Sequence, residues 1–478
     1  MTQLSPGRAG TGGARAADES APRRGSPRAG TGRNGRRGAV WVVLTIIVAV
    51  TIASAAGLGP VPRWWAVGAM ALVTAVYLAA VLFQLLVVFY GGAGTTRLGA
   101  GETLPDEELP VYTVLVPFAG VGQRSGTGPG ADRIADLIAE LSALDYPVDR
   151  LQVLLLAADG GEDAMVAVPA HFEVVAVGSP SRADACAVGL ARTRGELCVV
   201  YEPGQRPDRG QLRAAAGSFH QLPAWVVGIR PETRCRNPRA NWLTHYAAAE
   251  CAVRSVLFVR GLDRLQLPVP VGGFACHYRT DALRRLSPWQ DGDPAEGADL
   301  GVRIAHRGWS VRLLPSVISE EAEDRLDRCL RQREASIRDD YRSCLAQTRS
   351  AYRLSRNLGP LRFAAFQLTT GSAAITALVN PLLWLLTLLW LAGDSQPIAE
   401  ALSPTELYVV LAVTLLGVLL TAYSLMVGCM EHHILVGARM VLLAPVYVAL
   451  TSVAAYRALL PGSRPFAARR EVGSVATP

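Results

Sequence analysis

Long runs without charge constrain this chain more than any other feature. Residues 39–58 hold no ionisable side chain, and about 20 such residues are what a helix needs to cross a hydrocarbon core. After Gly59-Pro60 and Pro62-Arg63 a second run covers 64–90, with Trp64 and Trp65 at its edge, where tryptophan suits a membrane interface. Three more apolar runs, without internal acids and mostly without bases, lie at 372–393, 406–429 and 435–459. The lengths predict five membrane helices, two within 38–92 and three within 372–460. The composition agrees, because 50% of residues are hydrophobic and 18% charged, which excludes a wholly disordered chain.

The formal net charge is +7, and residues 1–37 carry eight Arg against Asp18 and Glu19. The rest is therefore close to neutral, and no dispersed basic surface for nucleic acid is expected. The tail is rich in Gly, Arg, Ser and Pro and buries too little apolar surface to offset its ordering entropy, so it is expected to be disordered. Its positive charge should hold it in the cytoplasm. Two spans then return residues 95–358 to that side. The last run breaks the pattern, because a simple crossing leaves Arg464, Arg469 and Arg470 outside. Residues 359–371 are expected to form an interfacial helix, and 461–478 a second tail.

The chain has no Lys, which excludes Schiff-base and P-loop lysine chemistry. The eight Cys include no CxxC pair and read as reduced thiols. His432-His433 stands beside Glu431, but adjacent helical positions point apart. That cluster is expected to be a solvated loop.

The middle alternates. Val111–Pro117, Leu151–Ala157, Phe172–Val177 and Glu196–Tyr201 are short apolar runs that read as buried strands. Residues 131–144 and 182–194 read as helices between them. This order predicts an α/β domain over 100–358 with a mostly parallel sheet. Ligands in such sheets bind beyond the carboxyl ends of the strands. The informative positions are then Phe118–Gly120, Asp159, and Glu202 to Gln205.

The stretches SALDYPVDRLQVLLL (142–156), ARTRGELCVVYE (191–202), NWLTHYAAAE (241–250), VRGLDRLQLPVPVGG (259–273), ADLGVRIAHRGW (298–309) and SEEAEDRL (319–326) carry a resemblance. The chain resembles the membrane-bound glycosyltransferase family 2 proteins, the cellulose-synthase-like and hyaluronan-synthase-like group. The resemblance implies a Rossmann-like GT-A domain on the cytoplasmic face of the cell membrane, held by multiple spans. It also implies a nucleoside-diphosphate-sugar donor and a divalent cation, Mg²⁺ or Mn²⁺. In that family a carboxylate pair holds the cation against the diphosphate, and another carboxylate acts as general base.

The chain departs from the family where chemistry is done. At the metal position it reads Tyr201-Glu202-Pro203-Gly204-Gln205, which leaves one carboxylate, Glu202, and a neutral Gln205. At the base position it reads Ala295-Glu296-Gly297-Ala298-Asp299. Gly297 stands in place of the base, and Glu296 and Asp299 are the remaining candidates. Resemblance assigns His277, Gln332 and Arg333 to the acceptor side, although Ala335 and Ser336 replace that segment's usual Arg and Trp. Asp184 stands where a phosphate-side Lys is usual. Two readings follow. One is an impaired donor-binding protein that partners or regulates an active membrane glycosyltransferase. The other is an active inverting glycosyltransferase with displaced catalytic residues.

Overall fold

The structure is a computed structural model. It describes residues 63–92, 103–118, 129–158, 168–178, 182–269, 271, 275–289, 298–349, 355–356, 359–391, 404–434 and 438–460. The expected tails and the first apolar run lie outside these residues.

Four strands open the domain: β1 (Tyr112–Pro117), β2 (Leu151–Ala158), β3 (Phe172–Val177) and β4 (Leu197–Val200). They pair in parallel in the order β3-β2-β1-β4. Every residue of β1 is buried, as a strand covered on both faces requires. Its alternation sends Tyr112, Val114 and Val116 to one core, with Leu137 and Leu141 of α2 (Pro129–Ser142). Leu115 faces the other core, with Leu190 of α3 (Arg182–Arg192). Thr113 in the same strand donates its hydroxyl to Gln152 Oε1 at 2.9 Å.

The sheet is mixed and not purely parallel: four of its pairings are parallel and three antiparallel. Beyond β4 come β7 (His277–Arg279), β6 (Val226–Cys235), β8 (Ser310–Glu320) and β5 (Arg206–Pro207). β7 is antiparallel to both β4 and β6, β5 is antiparallel to β8, and β6 and β8 are parallel. The β6–β8 register slips between Arg230 and Glu232. Pro231 lies there without an N–H to donate to a ladder. α4 (Gln211–Gln221) covers one face of this half.

A helical segment then leads to the apolar helices. α5 (Trp242–Ala252), a π-helical turn (Val253–Phe258) and α6 (Val259–Arg264) follow one another without a break. Asn241 starts it with a capping box: its side chain accepts from Leu243 N–H and Thr244 N–H, and Thr244 Oγ1 accepts from Asn241 N–H. The segment packs on α1 (Arg63–Gly92), where Gly91 meets the Leu257 backbone and Gly261 meets the Val87 backbone. α7 (Thr280–Leu286), α8 (Ala298–His306) and α9 (Leu326–Arg349) complete the domain.

The remaining helices are α10 (Pro360–Leu391), α11 (Pro404–Glu431) and α12 (Ala438–Leu459). Val73, Tyr77 and Val81 of α1 share an apolar core with Val379, Leu382, Val410 and Val413. Among the described residues two helices are long and apolar enough to cross a membrane, Ala71–Gly92 and Leu407–Glu431. Thr376–Leu391 and Leu443–Leu459 are shorter apolar stretches. Residues 359–371 are not set apart from the third run, because α10 is one helix of 32 residues.

Candidate functional site

The C-terminal ends of β4 and β8 bring the retained family positions together. β4 runs into Tyr201 and then the turn Glu202-Pro203-Gly204-Gln205, with Gly204 at φ +97°. That left-handed conformation is one glycine adopts without a Cβ clash. The turn closes on itself: Gln205 N–H donates to Glu202 O at 3.0 Å, and Gln205 Oε1 accepts from Glu202 N–H at 2.9 Å. Gln205 Nε2 donates to Glu320 Oε1 at 2.6 Å, across to the end of β8. The Glu202 carboxylate is ion-paired with Arg182, the first residue of α3.

This donor set does not fit a resident divalent cation. A hard cation asks for several anionic or carbonyl oxygens free to turn toward it. Glu202 is neutralised by a guanidinium, and Gln205 is held by a backbone N–H on one side and by Glu320 on the other. No group of three or more His, Cys, Asp or Glu able to hold a metal occurs among the described residues.

A polar network braces the turn from below. Tyr201 Oη donates to Gln211 Oε1 at 2.6 Å, and Gln211 Nε2 donates to Val317 O at 2.9 Å. Asp208 Oδ2 accepts from Val317 N–H at 2.9 Å. Beside it lies a cavity of about 120 Å³ lined by Asp208, Glu232, Arg234, Arg260 and Ser316, among others. It is smaller than the pockets of roughly 300–1,000 Å³ that take drug-sized ligands. Glu232 binds Arg260 at 3.1 Å and His432 Nε2 at 2.9 Å. Burial alone would raise the Glu232 carboxyl, but His432 and Arg234 outweigh it and hold it down to about 2. His432 is thus tied to the domain with a side chain only 4% exposed, which corrects the expectation of a solvated loop there. Glu431 and His433 on either side of it are exposed.

The expected acceptor-side residues do not meet. His277 is fully buried on β7, with Nδ1 2.6 Å from Tyr112 Oη and its ring edge-on to Tyr112 and Tyr201. Burial pushes its pKa down to about 3, so it is a neutral residue of the core. Gln332 is exposed on α9. Arg333 turns toward α12: it donates to Glu250 Oε2 at 2.5 Å and Thr451 Oγ1 at 2.8 Å, and lies 4.5 Å over the Tyr447 ring. Asp159 and Glu296 lie outside the described residues, as does Gly297. Asp299 falls in the first turn of α8.

Two further residues complete the site, Arg182 and Glu320, and their position is their only sequence signal: Arg182 opens the helix before β4, and Glu320 ends a strand within SEEAEDRL.

Residues 206–450 match the model of the glycosyl transferase family group 2, more than half of the 478 residues. The chain belongs to that family. No curated protein matches it. Among solved structures, the mannosyltransferase PcManGT from Pyrobaculum calidifontis, in complex with GDP-Man and Mn²⁺, is 17% identical over 72% of this chain and 98% of its own, at a TM-score of 0.40. S. aureus TarS 1-349 is 12% identical over 64% of this chain and 88% of its own, at 0.33. The family assignment rests on the model match alone. This member of glycosyl transferase family group 2 joins a mixed-sheet α/β domain to two helices of membrane-spanning length.

Proposed function

We propose that this family 2 protein keeps a nucleotide-sugar-binding fold without turning the sugar over. It acts instead as partner or regulator of an active membrane glycosyltransferase in cell-surface glycan synthesis. Its finer kinship is with the cellulose-synthase-like and hyaluronan-synthase-like group. The domain faces the cytoplasm, the chain is multi-pass, and no divalent cation is resident.

The observation that carries this reading is the Glu202 turn. Its carboxylate is ion-paired to Arg182, and its would-be second ligand is the neutral Gln205, bonded to Glu320. Gly297 has no side chain to accept a proton, and losing a positioned base typically costs about 10²–10⁴-fold. Losing metal-borne charge stabilisation adds several kcal/mol more.

The test uses the full chain in nanodiscs with UDP-, GDP- and TDP-sugars and Mg²⁺ or Mn²⁺. Nucleotide binding and nucleoside-diphosphate release are followed in the same samples. Binding without release is expected, and Gly297→Asp alone should not create release. Steady release with one donor, lost in Glu202→Ala, would make the protein an active inverting transferase and sink this reading.

A further inference from the structure

We propose that Arg182 takes the place of the divalent cation at the donor diphosphate, so that this protein binds nucleoside diphosphates without metal. The inference rests on the reading above that the fold keeps a donor pocket.

Topology places the guanidinium where the charge is needed. α3 joins β3 to the parallel strand β4 and packs on β1 and β2, so its first residue stands at the C-terminal edge of the sheet. Glu202, the first residue past the Tyr201 end of β4, reaches the same edge. In the family pattern Glu202 would hold a metal, and a Lys would stand near the phosphates at position 184. Here position 184 is an acid, and the missing positive charge returns two residues earlier on Arg182.

The chemistry favours substitution over coexistence. A metal at Glu202 would have to displace Arg182 from that carboxylate, or sit beside it with like charge. Arg182 has a side chain 41% exposed while paired, so it offers solvent an edge as well as a bonded face. A planar guanidinium binds phosphate oxygens through paired N–H donors. Glu202 then aims the guanidinium and does not ligate an ion. Asp184, in the first turn of α3, offsets part of the charge, so modest affinity is expected.

The experiment measures UDP and GDP binding to the full chain in nanodiscs, in EDTA and in Mn²⁺, beside a titration with Mn²⁺ alone. Equal affinity with and without metal is expected, and no saturable Mn²⁺ site at Glu202. Arg182→Gln should weaken nucleotide binding about tenfold or more, the size of a lost charge-assisted hydrogen bond. Arg182→Lys should retain part of the affinity, and Glu202→Gln should change it less than Arg182→Gln. Each variant is compared with wild type in thermal unfolding, so that a misfolded protein is recognised. Binding that requires Mn²⁺ and disappears in Glu202→Gln overturns the inference and leaves the donor pocket standing. Metal-free binding that Arg182→Gln leaves unchanged overturns the role of Arg182. Absence of nucleotide binding in every condition overturns the donor-pocket reading itself.

Discussion

His277 shows how a single residue sets a pH dependence without touching a ligand. Its folded pKa is pushed down to about 3 by burial, from an ordinary 6.5. Above pH 6.5 both folded and unfolded chains carry it neutral, and its contribution is constant. Below 6.5 the unfolded chain takes up a proton that the folded chain refuses, so stability falls as pH drops toward 3. Between pH 7 and 5 the loss should be about 2 kcal/mol. Denaturant unfolding of the wild type across that window, against His277→Gln, checks it: the variant should lose most of the slope. A wild type as flat as the variant would mean that His277 reaches water. The sequence pointed to His277 through resemblance but not to its place in the core. A His three residues before a helix reads the same whether it lines a cleft or plugs a core. What decides is that β7 inserts between β4 and β6 and carries the ring under Tyr112 and Tyr201, a non-local fact. Glu202 and Gln205 were legible because they follow a strongly apolar strand directly. Their partners Arg182 and Glu320 lie 20 and 115 positions away from them in sequence, beyond any spacing argument.

At the scale of elements, the parallel half of the sheet was legible and the antiparallel half was not. β1 to β3 are runs of six to eight residues with buried apolar patterns. β7 has three residues and β5 two, too few for any period to show. The helical segment 242–264 is not legible as a joint, because its one glycine, Gly261, and Gly91 on α1 look like ordinary interruptions. They permit contact between backbones. A methyl on Gly261 would overlap the Val87 carbonyl, and one on Gly91 would overlap the Leu257 carbonyl. Gly261→Ala should therefore push α1 off the domain and cost about 1–3 kcal/mol, as overpacking does, despite its better helix propensity. Gly68→Ala, with nothing within 4 Å of the added carbon, should be neutral or slightly stabilising. Thermal unfolding of both variants in detergent reads the difference. Equal midpoints would show that the helices have room to part.

For the whole molecule, the packing of α12 bears on how it lies relative to the membrane. The sequence offered an apolar run at 435–459 and a charge pattern that argued against a simple crossing. The structure supplies a physical reason for the conflict. α12 packs along α9, an amphipathic helix of the domain, through Ala454, Ala455 and Ala458 against Ile337 and Tyr341. Charged groups accompany it along the way: Arg333 at Tyr447 and Thr451, Arg457 at Glu334 (3.4 Å), and Arg338 Nε at Ala458 O (3.5 Å). Each Arg at the centre of a bilayer costs about 2.5–3.5 kcal/mol even on the gentlest scale. Several of them along half a helix are far cheaper at the water interface. Its apolar stretch, Leu443–Leu459, is among the shorter ones, at the lower limit of roughly 17 residues for a span. We therefore expect α12 to return to the side from which it leaves α11, with its end beside the domain. In sealed vesicles, a protease-cleavable tag after Pro478 should be cut from the same side as one inserted at the exposed Pro223–Ala224 turn. Arg333→Met together with Glu250→Gln should loosen this seat and raise the cleavage rate without moving the tag across. A tag cut only from the opposite side would make α12 a crossing helix, and the polar seam between α9 and α12 would then have to lie within the membrane.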